Sequence, residues 1–84
     1  MQNVVIYSTQ VCPYCVRAKM LLQKKGAEYK EIDVSNPTDR EAMIEKTGGA
    51  RTVPQIYIGE THVGGADDLY ALESEGKLDE LLAG

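Results

Sequence analysis

The first 26 residues carry the strongest constraint on the fold. A β-branched apolar run, NVVIYS (Asn3–Ser8), is followed three residues later by CPYCVRAKMLLQKKG. The run reads as a buried strand. Pro13 suits the first position of a helix, where its missing N–H costs nothing. Cys15, Ala18, Leu21 and Leu22 then recur at spacings of three and four, which gives that helix one apolar face. Gly26 fits a stop just past its end. A strand that feeds a helix in this way calls for a second, parallel strand reached by a right-handed crossover.

The next segment supplies it. EYKEIDV (Glu28–Val34) alternates Tyr29, Glu31 and Asp33 against Glu28, Lys30, Ile32 and Val34, and reads as a strand near a sheet edge. SNP breaks the chain. Thr38 to Thr47 reads as a second helix, with Ala42, Met43 and Lys46 spaced as helical neighbours. GGAR is a loop. QIYIGETHV reads as a hairpin, Gln55–Ile58 and Thr61–Val63 about a Gly59–Glu60 turn. Asp67 or Asp68 is expected to cap a third helix through Leu69 and Leu72, which ends at Gly76. KLDELL adds a last helical piece. The order β-α-β-α-β-β-α-α fits an α/β domain with a four-stranded mixed sheet and helices on both faces.

Size and charge narrow the function. The 84 residues fit one domain, 1–84, with one compact core. A net charge of −4 argues against nucleic acid, which needs a basic stripe. No apolar run approaches the ~20 residues of a membrane helix, so no membrane partner is expected. The start, MQNVVIYSTQ, lacks the features of a signal peptide, and a cytoplasmic location is the expectation. Residues 1–27 hold Arg17, Lys19, Lys24 and Lys25 and no carboxylate, whereas residues 28–84 hold all thirteen acidic residues against five basic ones. Helix electrostatics account for part of this, since Lys24 and Lys25 suit a helix C-terminus. A positive environment for a thiolate or an anionic substrate is the other reading.

Cys12 and Cys15 are the only cysteines. With Pro13 at the first helical position, Cys12 is the N-cap. Its sulfur then faces the unpaired N–H groups of Tyr14 and Cys15, which favour an anion. Thiol pKa values in such places fall to roughly 3.5–7.5. Cys12 is therefore the expected nucleophile. Cys15, one turn on and turned toward the core, is the expected resolving thiol. Three other readings compete: two buried structural cysteines, a zinc site, and a structural disulfide. Zinc needs about four ligands, and this chain offers two cysteines and His62. A disulfide in a cytosolic chain is usually transient and catalytic. His62, in the hairpin, reads as an exposed polar position.

CPYC after the first strand, TVPQIYI about forty residues later and GGADDL after the hairpin together resemble the dithiol glutaredoxins of the small bacterial type. The likeness spans nearly the whole chain. It implies a thioredoxin fold and glutathione-dependent thiol–disulfide exchange, with Cys12 and Cys15 as the catalytic redox pair. It implies no tightly bound cofactor and no metal, with glutathione as the reducing co-substrate. The implied partners are glutathione and disulfide-containing or glutathionylated proteins, met by a monomer. In this reading Thr52, Val53 and a cis Pro54 face the cysteines, and the Val53 backbone pairs with the cysteinyl part of glutathione. Gly64 and Gly65 permit close backbone approach. The helix entry at Gly65, Ala66, Asp67 and Asp68 takes the γ-glutamyl end, its ammonium going to Asp67 first or Asp68 second. Tyr14 lines the groove.

One departure stands out. Many glutaredoxins carry a lysine three residues before the first cysteine, where this chain has Thr9. Arg51, Arg40 or Arg17 are the candidates to replace its contact with the glycine carboxylate. Two other functions remain open beside this one: a redoxin fed directly by thioredoxin reductase, and a carrier of an iron–sulfur cluster between two chains. Pro13 and Cys15 favour redox turnover over the carrier.

Overall fold

The structure is a computed structural model that describes residues 1–84. It contains β1 (Val4–Ser8), α1 (Pro13–Lys24), β2 (Tyr29–Asp33), α2 (Pro37–Thr47), β3 (Gln55–Ile58), β4 (Thr61–Gly64), α3 (Ala66–Ser74) and α4 (Leu78–Ala83). The strands form one mixed sheet in the order β2-β1-β3-β4. β1 and β2 are parallel, Val4 facing Tyr29 and Ser8 facing Asp33. β3 runs antiparallel to β1, with Ile6 opposite Ile56, and β4 returns antiparallel to β3.

Strand alternation divides the core. Val4 and Ile6 of β1 and Ile56 and Ile58 of β3 point to the face covered by α1, α3 and α4, where they meet Ala18, Leu22, Leu69, Leu78 and Leu82. Tyr7 points the other way, to Val34 and to Met43 of α2. The helices thus cover both faces, as the element order requires. Leu22, Leu69 and Leu78 are fully buried, and each contributes about 1.5–3 kcal/mol through removal of apolar surface from water. Lys25 joins the ends of three helices, its Nζ 2.7 Å from Glu73 and 3.2 Å from Asp79.

Helix starts and stops follow local chemistry. α1 buries Cys15, Ala18, Leu21 and Leu22 and ends before Gly26, whose φ of 72° is the left-handed conformation glycine tolerates. α2 starts at Pro37, one residue before the expected Thr38, because Asn36 caps it by accepting the Asp39 N–H at 2.9 Å. Of the three residues whose spacing marked this helix, one is covered. Met43 is buried with Ile44 and Thr47 beside it, while Ala42 and Lys46 are exposed. The short helix uses one large anchor, so spacing among small and charged residues carried little information. The N-cap residue of α3 is Gly65, and of the two aspartates expected to cap the helix Asp68 does so from the third helical position, accepting the Gly65 N–H at 3.0 Å.

Candidate functional site

Cys12 ends the turn after β1 in an extended conformation (φ −150°, ψ 99°) and is the N-cap of α1, with Pro13 as the first helical residue. Of the two N–H groups expected to face its sulfur, that of Cys15 donates to Sγ at 3.1 Å and that of Tyr14 does not. A donor at that distance, at the positive end of a helix whose first turn holds no carboxylate, favours a thiolate once the pair is reduced. Here the two cysteines are in disulfide contact, their Cα atoms 5.2 Å apart. Cys12 is half-buried at the surface, while Cys15 is 1% exposed and packed into the core side of α1. Outside reagents therefore reach Cys12 first. No group of three or more His, Cys, Asp or Glu side chains is placed to hold a metal ion.

The loop before β3 comes across from the cysteines. The Val53–Pro54 bond is cis, and the Val53 carbonyl oxygen lies 4.0 Å from Cys12 Sγ. Beside this contact is a cleft of about 450 Å³. Tyr14 lines it from α1, Thr52, Val53 and Pro54 from the loop before β3, and Gly65, Ala66, Asp67 and Asp68 from the start of α3. Eight residues named from separate stretches of sequence thus meet in one place. Gly64, expected beside Gly65 to permit close approach, also lines it, and so does Gln55, to which the sequence reading gave no role at the site. Gln55 is held by His62, whose Nε2 is 2.7 Å from its Oε1, and donates to the Thr52 carbonyl at 2.9 Å. Its position directly after the TVP motif was the available signal.

The two glycines differ. Gly64 has φ 112°, and a Cβ there would run into the Asp68 carboxylate. Gly65 is extended, and a Cβ there would meet only the Pro54 carbonyl at 3.5 Å. The aspartates differ as well. Asp68 is spent on its backbone cap, whereas Asp67 is exposed with no hydrogen-bond or ionic partner and leaves its charge free toward the cleft.

Thr9 lies on the opposite flank, in a polar recess with Ser8, Gln10, Lys19, Glu31 and Asp33. The cation that lines this recess with Thr9 is Lys19, which the sequence reading did not name as a replacement. Its Nζ is bound to Glu31 at 2.9 Å, and the buried Ser8 hydroxyl donates to the same carboxylate oxygen at 2.5 Å. These two bonds, that from Ser8 foremost, hold the Glu31 carboxyl below the usual glutamate range. Arg17 sits over the rings of Tyr14 and Tyr70, 5.9 and 5.1 Å from their centroids. Arg40 donates to the Arg51 carbonyl and so braces the loop that enters the cleft. The Arg51 side chain makes no ion pair and is exposed.

Comparison with known proteins agrees with this geometry. The family model described as Glutaredoxin matches residues 4–63. The chain is 57% identical to the glutaredoxin of Pseudomonas aeruginosa, over 99% of both chains. It is 52% identical to glutaredoxin 3 of Escherichia coli, over 98% of this chain and 99% of that one. Among solved structures, that of glutaredoxin from Brucella melitensis superposes with a TM-score of 0.84 at 60% identity, covering 98% of this chain and 89% of that one. A buckwheat glutaredoxin–glutathione complex gives a TM-score of 0.86 at 35% identity, covering 98% and 77%. The sheet order and two-sided helix cover are those of the thioredoxin fold. The chain belongs to the glutaredoxin family of glutathione-dependent thiol–disulfide oxidoreductases.

Proposed function

We propose that the chain acts as a dithiol glutaredoxin, with Cys12 as nucleophile and Cys15 as resolving thiol. The observation that carries this is the Cys12 sulfur itself. It accepts the Cys15 N–H and lies 4.0 Å from the carbonyl oxygen of Val53, a residue that lines the cleft. On a glutathionylated protein, the Cys12 thiolate attacks the glutathione sulfur. The mixed disulfide breaks, the protein thiol leaves with a proton from solvent, and Cys12 carries the glutathione. A second glutathione thiolate attacks that bound sulfur, which releases oxidised glutathione and restores the Cys12 thiolate. On a protein disulfide, Cys12 forms a mixed disulfide with the substrate. Cys15 then attacks the Cys12 sulfur, expels the substrate thiol and leaves the Cys12–Cys15 disulfide, which two glutathiones reduce. Both routes are ordinary thiolate exchange.

In this reading glutathione lies in the cleft, with its cysteinyl backbone against Val53. Its γ-glutamyl carboxylate is at the N–H groups opening α3, where the helix end favours an anion. Asp67, with no other partner, takes the ammonium group, and Tyr14 covers the ligand. Glutathione is a passing co-substrate, and no cofactor is tightly held. The chain works as a single 1–84 domain and a monomer, on disulfide-containing or glutathionylated proteins in the cytoplasm. No helix is long and apolar enough to cross a membrane.

The test is turnover of a glutathionylated peptide with glutathione, glutathione reductase and NADPH, beside a run with thioredoxin reductase replacing both glutathione components. Activity is expected in the first alone. Cys12→Ser should abolish it. Cys15→Ser should keep it while losing reduction of protein disulfides. An inactive Cys15→Ser on the glutathionylated peptide would overturn the assignment of roles. Activity in the second run alone would make the chain a thioredoxin-like carrier.

A further inference from the structure

The solvent face of α1 carries residues that neither the core nor the cleft uses. Five large apolar side chains are exposed in the whole molecule, and four of them lie between residues 11 and 20: Val11 at 92%, Tyr14 at 54%, Val16 at 48% and Met20 at 61%. Tyr14 belongs to the cleft. Val16 and Met20 are four apart on α1 and three and seven beyond Pro13, so these three make one stripe opposite the buried Cys15, Ala18 and Leu22. Val11 is exposed in the turn just before Cys12. The result is an apolar strip that starts at the reactive sulfur and runs two turns along the helix.

Its charge is as uneven as its polarity. Arg17 and Lys24 are seven apart and flank Met20 on the same face. The neighbouring cations are engaged, Lys19 by Glu31 and Lys25 by Glu73 and Asp79. Arg17 and Lys24 have no carboxylate partner. Arg17 is further held in place between two tyrosine rings, and the Tyr70 hydroxyl donates to its carbonyl at 3.1 Å. Two free cations beside an apolar strip, on the one stretch of the chain without a carboxylate, form a surface complementary to an acidic and apolar segment.

We infer that this face of α1 is a docking surface for protein substrates. It selects a segment with an apolar anchor and acidic side chains next to the disulfide or glutathionylated cysteine. The inference rests on the thiol exchange proposed above and names the substrate class of the same sulfur. Glutathione occupies the cleft on the Tyr14 side, so the strip leaves room for the rest of the substrate. Docking there holds the scissile disulfide at Cys12 and adds nothing for a small mixed disulfide, which cannot reach Met20.

The experiment compares three substrates: two glutathionylated peptides of equal length with a leucine anchor, one flanked by glutamates and one by lysines, and the mixed disulfide of cysteine and glutathione. The wild type should favour the acidic peptide over the basic one by about tenfold in kcat/KM. Lys24→Glu should reverse much of that preference. Met20→Ser should lower kcat/KM on both peptides. Neither variant should change turnover of the small mixed disulfide, and both positions are exposed enough to leave the fold intact. Equal rates on the two peptides, or a preference that Lys24→Glu leaves untouched, would overturn the docking face alone. Absence of wild-type turnover on the small mixed disulfide would overturn the glutathione reading and the docking face with it. Binding to phosphatidylglycerol vesicles without peptide preference would reassign the strip to a membrane surface.

Discussion

Asp67 and Asp68 look interchangeable in the sequence and are not in the structure. Asp68 accepts the Gly65 N–H and closes the first turn of α3, whereas Asp67 has no partner. Asp68→Ala should therefore lower stability by about 1 kcal/mol, the usual value of such a cap. Asp67→Asn should leave the melting temperature unchanged and raise KM for glutathione about tenfold through loss of one charge-assisted contact. Thermal melts and glutathione saturation curves on the two variants check this, and a stability loss in Asp67→Asn would show that the roles are reversed. The place of Cys12 at the start of α1 was legible because CPYC combines two independent local rules, a proline for the first turn and a cap before it. The aspartate roles were not legible. Either residue can satisfy a capping pattern, and only the three-dimensional position of the Gly65 N–H chooses between them. Lys19 was invisible for a similar reason. Its partner Glu31 is twelve residues away and reaches it only because β2 pairs beside β1.

At the scale of elements, that same pairing ties three pieces of the active-site flank together. Ser8 of β1, Lys19 of α1 and Glu31 of β2 share one carboxylate oxygen. Glu31 has a lowered folded-state pKa, caused first by the Ser8 hydroxyl and then by Lys19, with Asp33 and partial burial opposing. Since the unfolded chain binds this proton at a higher pH, the network stabilises the fold fully above the usual glutamate value of about 4.3 and loses that effect as pH falls through the lower folded value. Glu31→Gln should therefore melt earlier than the wild type at neutral pH, and the two melting curves should converge at acid pH. A gap that persists at acid pH would mean that packing, not the charge, supports the flank. Elements were otherwise the level at which sequence spoke most clearly. All eight were found because β-branched runs and three-four spacing differ in period. The covered side of α2 was not legible, because one buried methionine does the anchoring and its apolar neighbours are too few to set a period.

At the scale of the molecule, the net charge and the α1 face pull in opposite directions on an acidic substrate. The whole chain carries −4, while Arg17 and Lys24 offer local attraction. Which one wins depends on screening relative to size, and the molecule measures 35 × 23 × 19 Å. At about 0.01 M salt the screening length is near 30 Å, so an approaching acidic peptide feels the molecule as one negative body. At about 0.15 M it shrinks to roughly 8 Å, less than the shortest dimension, and only the cations near the contact act. At about 1 M it is roughly 3 Å and the local attraction is lost as well. The kcat/KM for a glutathionylated acidic peptide should therefore rise and then fall with ionic strength, with a maximum near physiological salt. Lys24→Glu should remove the falling limb and leave the rise. A rate that only falls from the lowest salt upward would show that the local cations dominate at every range. A wild-type rate that only rises would show that the α1 face attracts nothing, because repulsion by the net charge would then be the sole electrostatic effect on the substrate.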